Sequence, residues 1–151
     1  MIIIGCDESV PWAYQFLMAE LDLHWQDSLG SFIVSAIGRR KGWNAELISR
    51  LEQLFHNVEA HPGVRGTSLH VLGHKIWDCP SAEWDAFEDR LRSMCDEALW
   101  HVDPAMRRLA CIAALTLGGY EARIHELALD MAIDGNGNSV ASEAEKYDIL
   151  D

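Results

Sequence analysis

Apolar residues recur along this chain at the spacing of an α-helix. The clearest case is residues 47–55, where Leu47, Leu51, Leu54 and Phe55 return every three or four positions and so share one helix face. No stretch alternates apolar and polar residues convincingly with the period of two that a half-buried strand shows. The pattern predicts eight helices, over residues 10–23, 28–38, 45–55, 64–77, 84–99, 104–117, 120–133 and 139–150.

Residues that favour helix ends support these boundaries. Asn44 is placed to cap the third helix, and Asp103-Pro104 combines a capping carboxylate with a proline in the first turn. Ser81 is a candidate N-cap for the fifth helix, and Gly118-Gly119 ends the sixth. Because short links favour antiparallel neighbours, the sequence predicts an all-α fold of four stacked helical hairpins.

A short phrase also returns along the chain. It reads His61-Pro62-Gly63-Val64-Arg65 and again Asp103-Pro104-Ala105-Met106-Arg107, with weaker copies around Leu29 and Val140. Leu29, Val64, Met106 and Val140 are separated by 35, 42 and 34 residues. Such periods in helical segments are typical of helix-pair repeats that stack into a solenoid.

These copies resemble the HEAT and armadillo-like family of helical repeats over roughly residues 27–151. The resemblance implies a short α-solenoid of about four hairpins, in a single helical-repeat domain over residues 1–151. Residues 1–9 begin with the apolar run Met1-Ile2-Ile3-Ile4 and are either a disordered start or an extended N-terminal strap. The resemblance also implies that Arg65 and Arg107 reach carboxylates or loop carbonyls of a neighbouring repeat. The small residues Ala110, Ala113 and Ala114 would allow close helix approach. Proteins of this kind usually bind other macromolecules.

The charge balance narrows the class of partner. With 24 acidic against 12 basic residues, the formal net charge is −12, which repels nucleic-acid phosphates and speeds encounter with basic proteins. Arg39-Arg40-Lys41 is the one basic cluster, and its place before Gly42 suits a helix C-terminus. We therefore expect no nucleic-acid partner.

The cysteines, the apolar runs and the motifs of the chain bear on its compartment and on its cofactors. Four cysteines without a CxxC pair predict reduced thiols, and no apolar run is long enough for a membrane helix. No phosphate loop, nucleophile elbow or zinc quartet is present. We expect a cytoplasmic protein without membrane contact, cofactor or enzymatic activity, whose oligomeric state the sequence does not define.

Acidic residues are concentrated between Asp78 and Glu97 and again after Glu121. A solvated outer face explains such a distribution, and so does a surface that steers a cationic partner. The functional interpretation is a protein-binding module, specifically an acidic inhibitor of the immunity type that neutralises a basic, nuclease-like toxin. Its candidate partner-binding residues are Asp78, Glu83, Trp84, Asp85, Glu88, Asp89 and Glu121.

Three other interpretations stay open at this point. Asp134, Asn136, Asn138 and Glu145 match positions of an EF-hand loop, although Ser139 replaces its turn glycine, so a calcium-responsive regulator is one alternative. A general HEAT-like adaptor is another. An enzyme subunit that uses His70, His74 or His125 is the third, since the first two histidines have the i, i+4 spacing of a metal pair.

Tryptophan is unusually frequent, with six residues in the chain. Any single one is best explained as filling the core. Trp25, Trp77 and Trp100, however, lie at helix ends beside Asp27, Asp78 and Asp103, and together they would form an aromatic, acidic rim.

Overall fold

The structure is a computed structural model that describes residues 11–133. Within that range all regular structure is helical and no strand occurs, which confirms the all-α prediction. The eighth predicted helix and the predicted strap over residues 1–9 lie outside the described residues. The seven α-helices are α1 (Pro11–His24), α2 (Leu29–Gly38), α3 (Ala45–His56), α4 (Pro62–Lys75), α5 (Trp84–Leu99), α6 (Pro104–Leu117) and α7 (Glu121–Ile133), and a 3-10 turn (Ile76–Asp78) extends α4.

Side-chain caps begin three of these helices. The Asn44 side chain accepts from Leu47 N–H at 3.0 Å, and Asp103 Oδ1 accepts from Ala105 N–H at 2.8 Å. His61 takes the same role before Pro62, because its Nδ1 accepts from Gly63 N–H at 3.1 Å. These contacts confirm the Asn44 and Asp103 caps.

The predicted Ser81 cap is wrong. Residues 81–83 form a turn, closed by a hydrogen bond from Glu83 N–H to the Pro80 carbonyl at 2.9 Å. Helix α5 therefore begins at Trp84, with Glu83 at its N-cap position and no side chain capping it. The serine lies too early in the chain to reach the first free N–H groups of α5.

Helix α4 is the centre of the molecule. It packs against α2, α3 and α6 and, less extensively, against α5, while α1 packs on α2 and α5 on α6. Its buried residues include Val64, Leu69 and Leu72, which are all fully inaccessible to solvent. These three residues join the side chains of the surrounding helices in one continuous apolar core.

Small residues set the close approach of α4 to α6. A Cβ added at Gly73 would lie 3.0 Å from the Ala113 Cα and Cβ atoms, and one at Gly66 would lie 2.7 Å from Leu109 Cδ1. Ala110, Ala113 and Ala114 are all buried. The prediction that these alanines allow close helix packing is confirmed at Ala113.

Basic side chains from neighbouring elements satisfy the C-terminal carbonyls of four helices. Arg65 Nε donates to the Phe55 carbonyl of α3 at 2.7 Å, and Lys75 donates to the Arg40 carbonyl just beyond α2. Arg92 reaches the Leu117 and Gly118 carbonyls, both at 3.1 Å, and Arg123 reaches the Leu99 carbonyl at 3.1 Å. The last carbonyls of a helix have no partner within it, so these contacts stabilise the helix ends.

The predicted reach to a neighbouring helix is present for Arg65 but not for Arg107. Arg65, only 6% exposed, extends from α4 to Glu97 of α5, with 3.2 Å between Nη2 and Oε1. Arg107 donates to the carbonyls of His101 and Val102 in the link before its own helix, at 2.7 and 2.8 Å. Both arginines are thus structural groups and are not free for an anionic ligand.

Candidate functional site

The predicted partner-binding residues lie along the outer side of α5 and at the two links beside its N-terminal half. Asp85, Glu88, Asp89 and Asp96 have the spacing i, i+3, i+4 and i+11, which places them on one helix face. Asp78 ends the 3-10 turn before α5, and Glu121 begins α7. We call this surface the α5 acidic face, which comprises Trp77, Asp78, Glu83, Trp84, Asp85, Glu88, Asp89, Asp96 and Glu121.

Three carboxylates of this face are exposed and, unlike those of Asp96 and Glu121, have no hydrogen-bond partner in the described part of the chain. Glu83, Asp85 and Asp89 all lie at the surface, and none belongs to an ion pair within the described part of the chain. Uncompensated charges on one side of a helix produce a local negative potential. These three residues are therefore the ones best placed to attract a cation.

Glu88 has a different role from its neighbours, because it is part of the fold. Its Oε1 accepts from both Nε and Nη2 of Arg92, at 2.9 and 2.7 Å, and its Oε2 accepts from Trp84 Nε1 at 3.1 Å. The hydrogen bond from Arg92, followed by that from Trp84, lowers the pKa of Glu88. Glu88 thereby orients Arg92 toward the end of α6.

Glu121 joins the face through the link between α6 and α7. Gly118 and Gly119 have φ values of +71° and +84°, which L side chains adopt only with strain, so this tight link depends on glycine. Glu121 Oε1 accepts from Gly119 N–H at 2.9 Å. Backbone hydrogen bonds from Glu121 itself and from Gly119 lower the pKa of its carboxyl group.

Two tryptophans border the acids at the start of α5. Trp84 is half-buried and packs against the core, whereas Trp77 is 70% exposed. Their ring centroids are 6.3 Å apart with an interplanar angle of 61°, an edge-type contact. Asp78 lies directly after Trp77, with its Oδ2 3.5 Å from the buried Lys75 Nζ. The exposed indole of Trp77 thus lies beside Trp84, at the start of the helix that carries the acids.

A surface that carries both an exposed tryptophan and free carboxylates suits one class of ligand in particular. Lysine and arginine side chains bind carboxylates by charge-assisted hydrogen bonds and also stack on indole rings. The chain already contains such a contact elsewhere, because the Arg123 guanidinium lies 3.6 Å from the Trp100 ring centroid. The α5 acidic face offers both kinds of contact to a basic surface.

The predicted rim of three tryptophans does not form. Trp25 lies near the N-terminus of α4, where its carbonyl accepts from His61 N–H, while Trp77 follows the opposite end of α4. Trp25 packs against the core, and Trp100 is exposed but is held by Arg123. Helix direction therefore separates residues that the sequence placed in similar positions relative to helix ends.

Other predicted sites have little support within residues 11–133. The His70 and His74 rings contact each other at a centroid distance of 4.7 Å, but no group of three metal-binding side chains occurs in the described range. The calcium candidates Asp134, Asn136, Asn138 and Glu145 lie outside it. Arg40 packs on the Tyr14 ring at 4.5 Å, so the Arg39-Arg40-Lys41 cluster does not present three free charges.

The three cysteines that the structure describes form no disulfide. Cys79, Cys95 and Cys111 are free thiols, and burial raises the pKa of both Cys95 and Cys111 to about 12. None of the helices in the described part of the chain has the length and apolar character needed to cross a membrane.

Sequence reasoning left two residues out of this face. Asp96 shares the outer side of α5 with Asp85 and Asp89, and its i+11 spacing from Asp85 was a readable signal. The sequence indicates Trp77 only as part of the aromatic rim, because nothing in it shows that the ring is exposed.

No protein-family model matches this chain, and neither a curated protein nor a solved structure shows significant similarity to it.

Proposed function

We propose that this protein is a small helical-repeat module that binds a basic protein through the α5 acidic face. The proposal rests on one observation: four basic side chains bind groups of the fold, while three acidic side chains have no partner in the described residues. Arg65, Lys75, Arg92 and Arg123 bind helix-end carbonyls, whereas Glu83, Asp85 and Asp89 are exposed and form no ion pair within the described residues.

The repeat architecture is supported by two features. Leu29, Val64 and Met106, at equivalent positions of the recurring phrase, lie in the first turns of α2, α4 and α6. These three helices pack side by side, with α4 against α2 and α6 against α4. Such an arrangement fits HEAT-like hairpins stacked in sequence.

The size of the face fits a protein partner. A standard interface buries roughly 800 Å² on each side, which corresponds to about one-tenth of the 8316 Å² surface of this chain. Helix α5 has 16 residues and is therefore about 24 Å long, enough to span such an interface. Trp77 would supply the aromatic anchor, and the surrounding carboxylates would supply orientation and association rate.

The most specific form of the proposal is an immunity-type inhibitor in the cytoplasm that covers the cationic surface of a nuclease-like toxin. A protein that blocks such a surface imitates the charge of the nucleic acid that the surface normally binds. A general adaptor for a basic protein rests on the same features and differs only in the activity of its partner.

The experiment is an affinity capture from the native host lysate at about 0.05 M and then about 0.5 M salt, since screening lengths shorten across this range. Wild-type protein is compared with D85K/D89K and with the matched control E46K/E59K, which changes the net charge equally at two other exposed acids. The proposal predicts one basic protein, retained in stoichiometric amount by wild type and control and lost from D85K/D89K. Equal retention by all three variants contradicts it.

A further inference from the structure

Helix α1 carries a second apolar face that nothing in the described part of the molecule covers. Trp12, Phe16 and Leu23 are 63%, 55% and 73% exposed, and Ala19 is exposed as well. The intervals of four, three and four residues place all four side chains within a narrow stripe. The stripe runs nearly the full length of α1.

The opposite face of α1 is already used by the fold. Ala13 and Leu21 are buried, at 5% and 0% exposure, and Leu17 and Met18 pack against the core. A helix that is apolar on both sides is typical of one that is enclosed on both sides. The exposed stripe therefore indicates a further partner.

The spacing of the stripe identifies the kind of partner. Alternating steps of three and four residues form the seam along which two helices pack in a coiled coil. In an antiparallel pair of α1 helices, Trp12 faces Leu23 of the other copy and Phe16 faces Ala19. Each large ring thus meets a smaller side chain, which is the condition for close packing.

Charge placement favours the antiparallel orientation. Helix α1 has no acidic residue in its first turn, and its two acids, Glu20 and Asp22, lie in its C-terminal half. Those acids oppose the negative end of their own helix dipole. Antiparallel pairing keeps the acidic C-terminal halves of the two α1 helices apart, whereas parallel pairing brings them together.

We infer that two copies of this chain associate through an antiparallel pair of α1 helices centred between Phe16 and Ala19. The interface along one helix is small, so the association is weak and concentration-dependent. It lies on α1 and does not depend on the function proposed for the α5 acidic face.

The test is sedimentation equilibrium of the full chain up to about 1 mM, a concentration that detects weak association. The wild type is expected to shift from the 17.0 kDa monomer toward twice that mass. A19E should weaken the dimer about 100-fold, because each copy then places a charge in the apolar seam. A122E, the same substitution at an exposed alanine of α7, should leave it unchanged.

Ala19→Glu suits this purpose because it removes no buried apolar group from the monomer and both residues favour a helix. Unchanged far-UV circular dichroism will show that the variant is folded. A wild type that stays monomeric throughout the range overturns the inference, as does a dimer that A19E leaves intact. A disulfide between two Leu23→Cys copies would require a parallel pair and would overturn the orientation, since antiparallel packing separates these positions by about 16 Å.

If the wild type is monomeric, the polar variant I2S/I3S/I4S separates the remaining explanations. Increased iodide quenching of tryptophan fluorescence in this variant would identify the apolar segment Met1-Ile2-Ile3-Ile4 of the same chain as the group that covers α1. That result also overturns the dimer.

Discussion

Helix α4 and the α5 acidic face use charged residues in opposite ways. The two charged residues buried in α4, Arg65 and Lys75, direct their donors to carbonyls at the ends of α3 and α2. On α5, Asp85 and Asp89 extend into solvent without an ion pair in the described range. Basic residues that bind carbonyls at helix ends do not offset the exposed acids of α5. The negative potential of that surface is therefore larger than the net charge of the chain suggests.

The inner side of α5 extends this comparison within a single helix. Cys95 is fully buried in the core, and its pKa is raised to about 12 by burial, with a further contribution from Asp96. Cys111 of α6 is similarly buried, and its pKa is also raised to about 12.

The largest expected effect is therefore the resistance of the Cys95 and Cys111 thiols to chemical modification. At pH 8 their thiolate fractions are about 1000-fold below that of an ordinary exposed thiol. Native Cys95 and Cys111 should stay unmodified by a thiol reagent under conditions that label the half-buried Cys79, as read by mass spectrometry of the peptides. Equal labelling of Cys95 and Cys79 in the folded protein would show that the inner side of α5 is open.

The second prediction concerns Arg65. Arg65→Met keeps an apolar stem but removes the donors to the Phe55 carbonyl and Glu97, so the free energy of unfolding should fall by about 3 kcal/mol. The matched control is Arg90→Met, because Arg90 is half-exposed and pairs with Glu52 at the surface.

Urea unfolding of both variants measures the difference. The control should lose less than about 1 kcal/mol, since exposed ion pairs contribute little. If the two substitutions cost the same, the buried arginine has no special structural role and the comparison between α4 and α5 fails.

A smaller loss of stability is expected from a substitution at the contact between α4 and α6. Gly73→Leu places a side chain against the Ala113 backbone, whose Cα would lie 3.0 Å from the added Cβ, and overpacking of this kind costs about 2 kcal/mol. Ser93→Leu on the exposed side of α5 serves as the control and should change stability little. Thermal unfolding compares them, and an unaltered midpoint for Gly73→Leu would mean that the two helices can separate without cost.

The smallest effect is the pH dependence contributed by Glu88. Its folded pKa lies below the reference value of 4.5, so its stabilisation is present above about pH 4.5 and is lost as pH falls through the folded pKa. Glu88→Gln should therefore unfold with a shallower pH dependence than wild type between about pH 5 and pH 3. Parallel curves for the two proteins would show that the contact with Arg92 does not discriminate between the charged and neutral carboxyl group.

The sequence predicted the helices well because their signals are local. Apolar periodicity and the caps at Asn44 and Asp103 depend only on residues a few positions apart, and α6 begins where Asp103-Pro104 indicates. The failure at Ser81 has a local cause as well, since residues 81–83 form a turn that puts Glu83, and not the serine, at the N-cap position of α5.

The site was only partly predictable because its geometry depends on neighbouring helices. Acid spacing identified Asp85 and Asp89, but it did not distinguish them from Glu88, whose partner Arg92 is fixed by the end of α6. The exposure of Trp77 likewise depends on how α4 ends against α5. A sequence pattern therefore locates the charged face, while packing decides which of its residues remain free.

The central claim is that the free acids of α5 contribute to binding and not to folding. The decisive measurement is the unfolding free energy and the partner affinity of D85K/D89K, each compared with wild type and E46K/E59K. The account predicts that affinity for the captured basic partner falls at least about 30-fold only in D85K/D89K, while stability changes by less than about 1 kcal/mol. Unchanged affinity, or a loss of stability that matches the loss of binding, would contradict it.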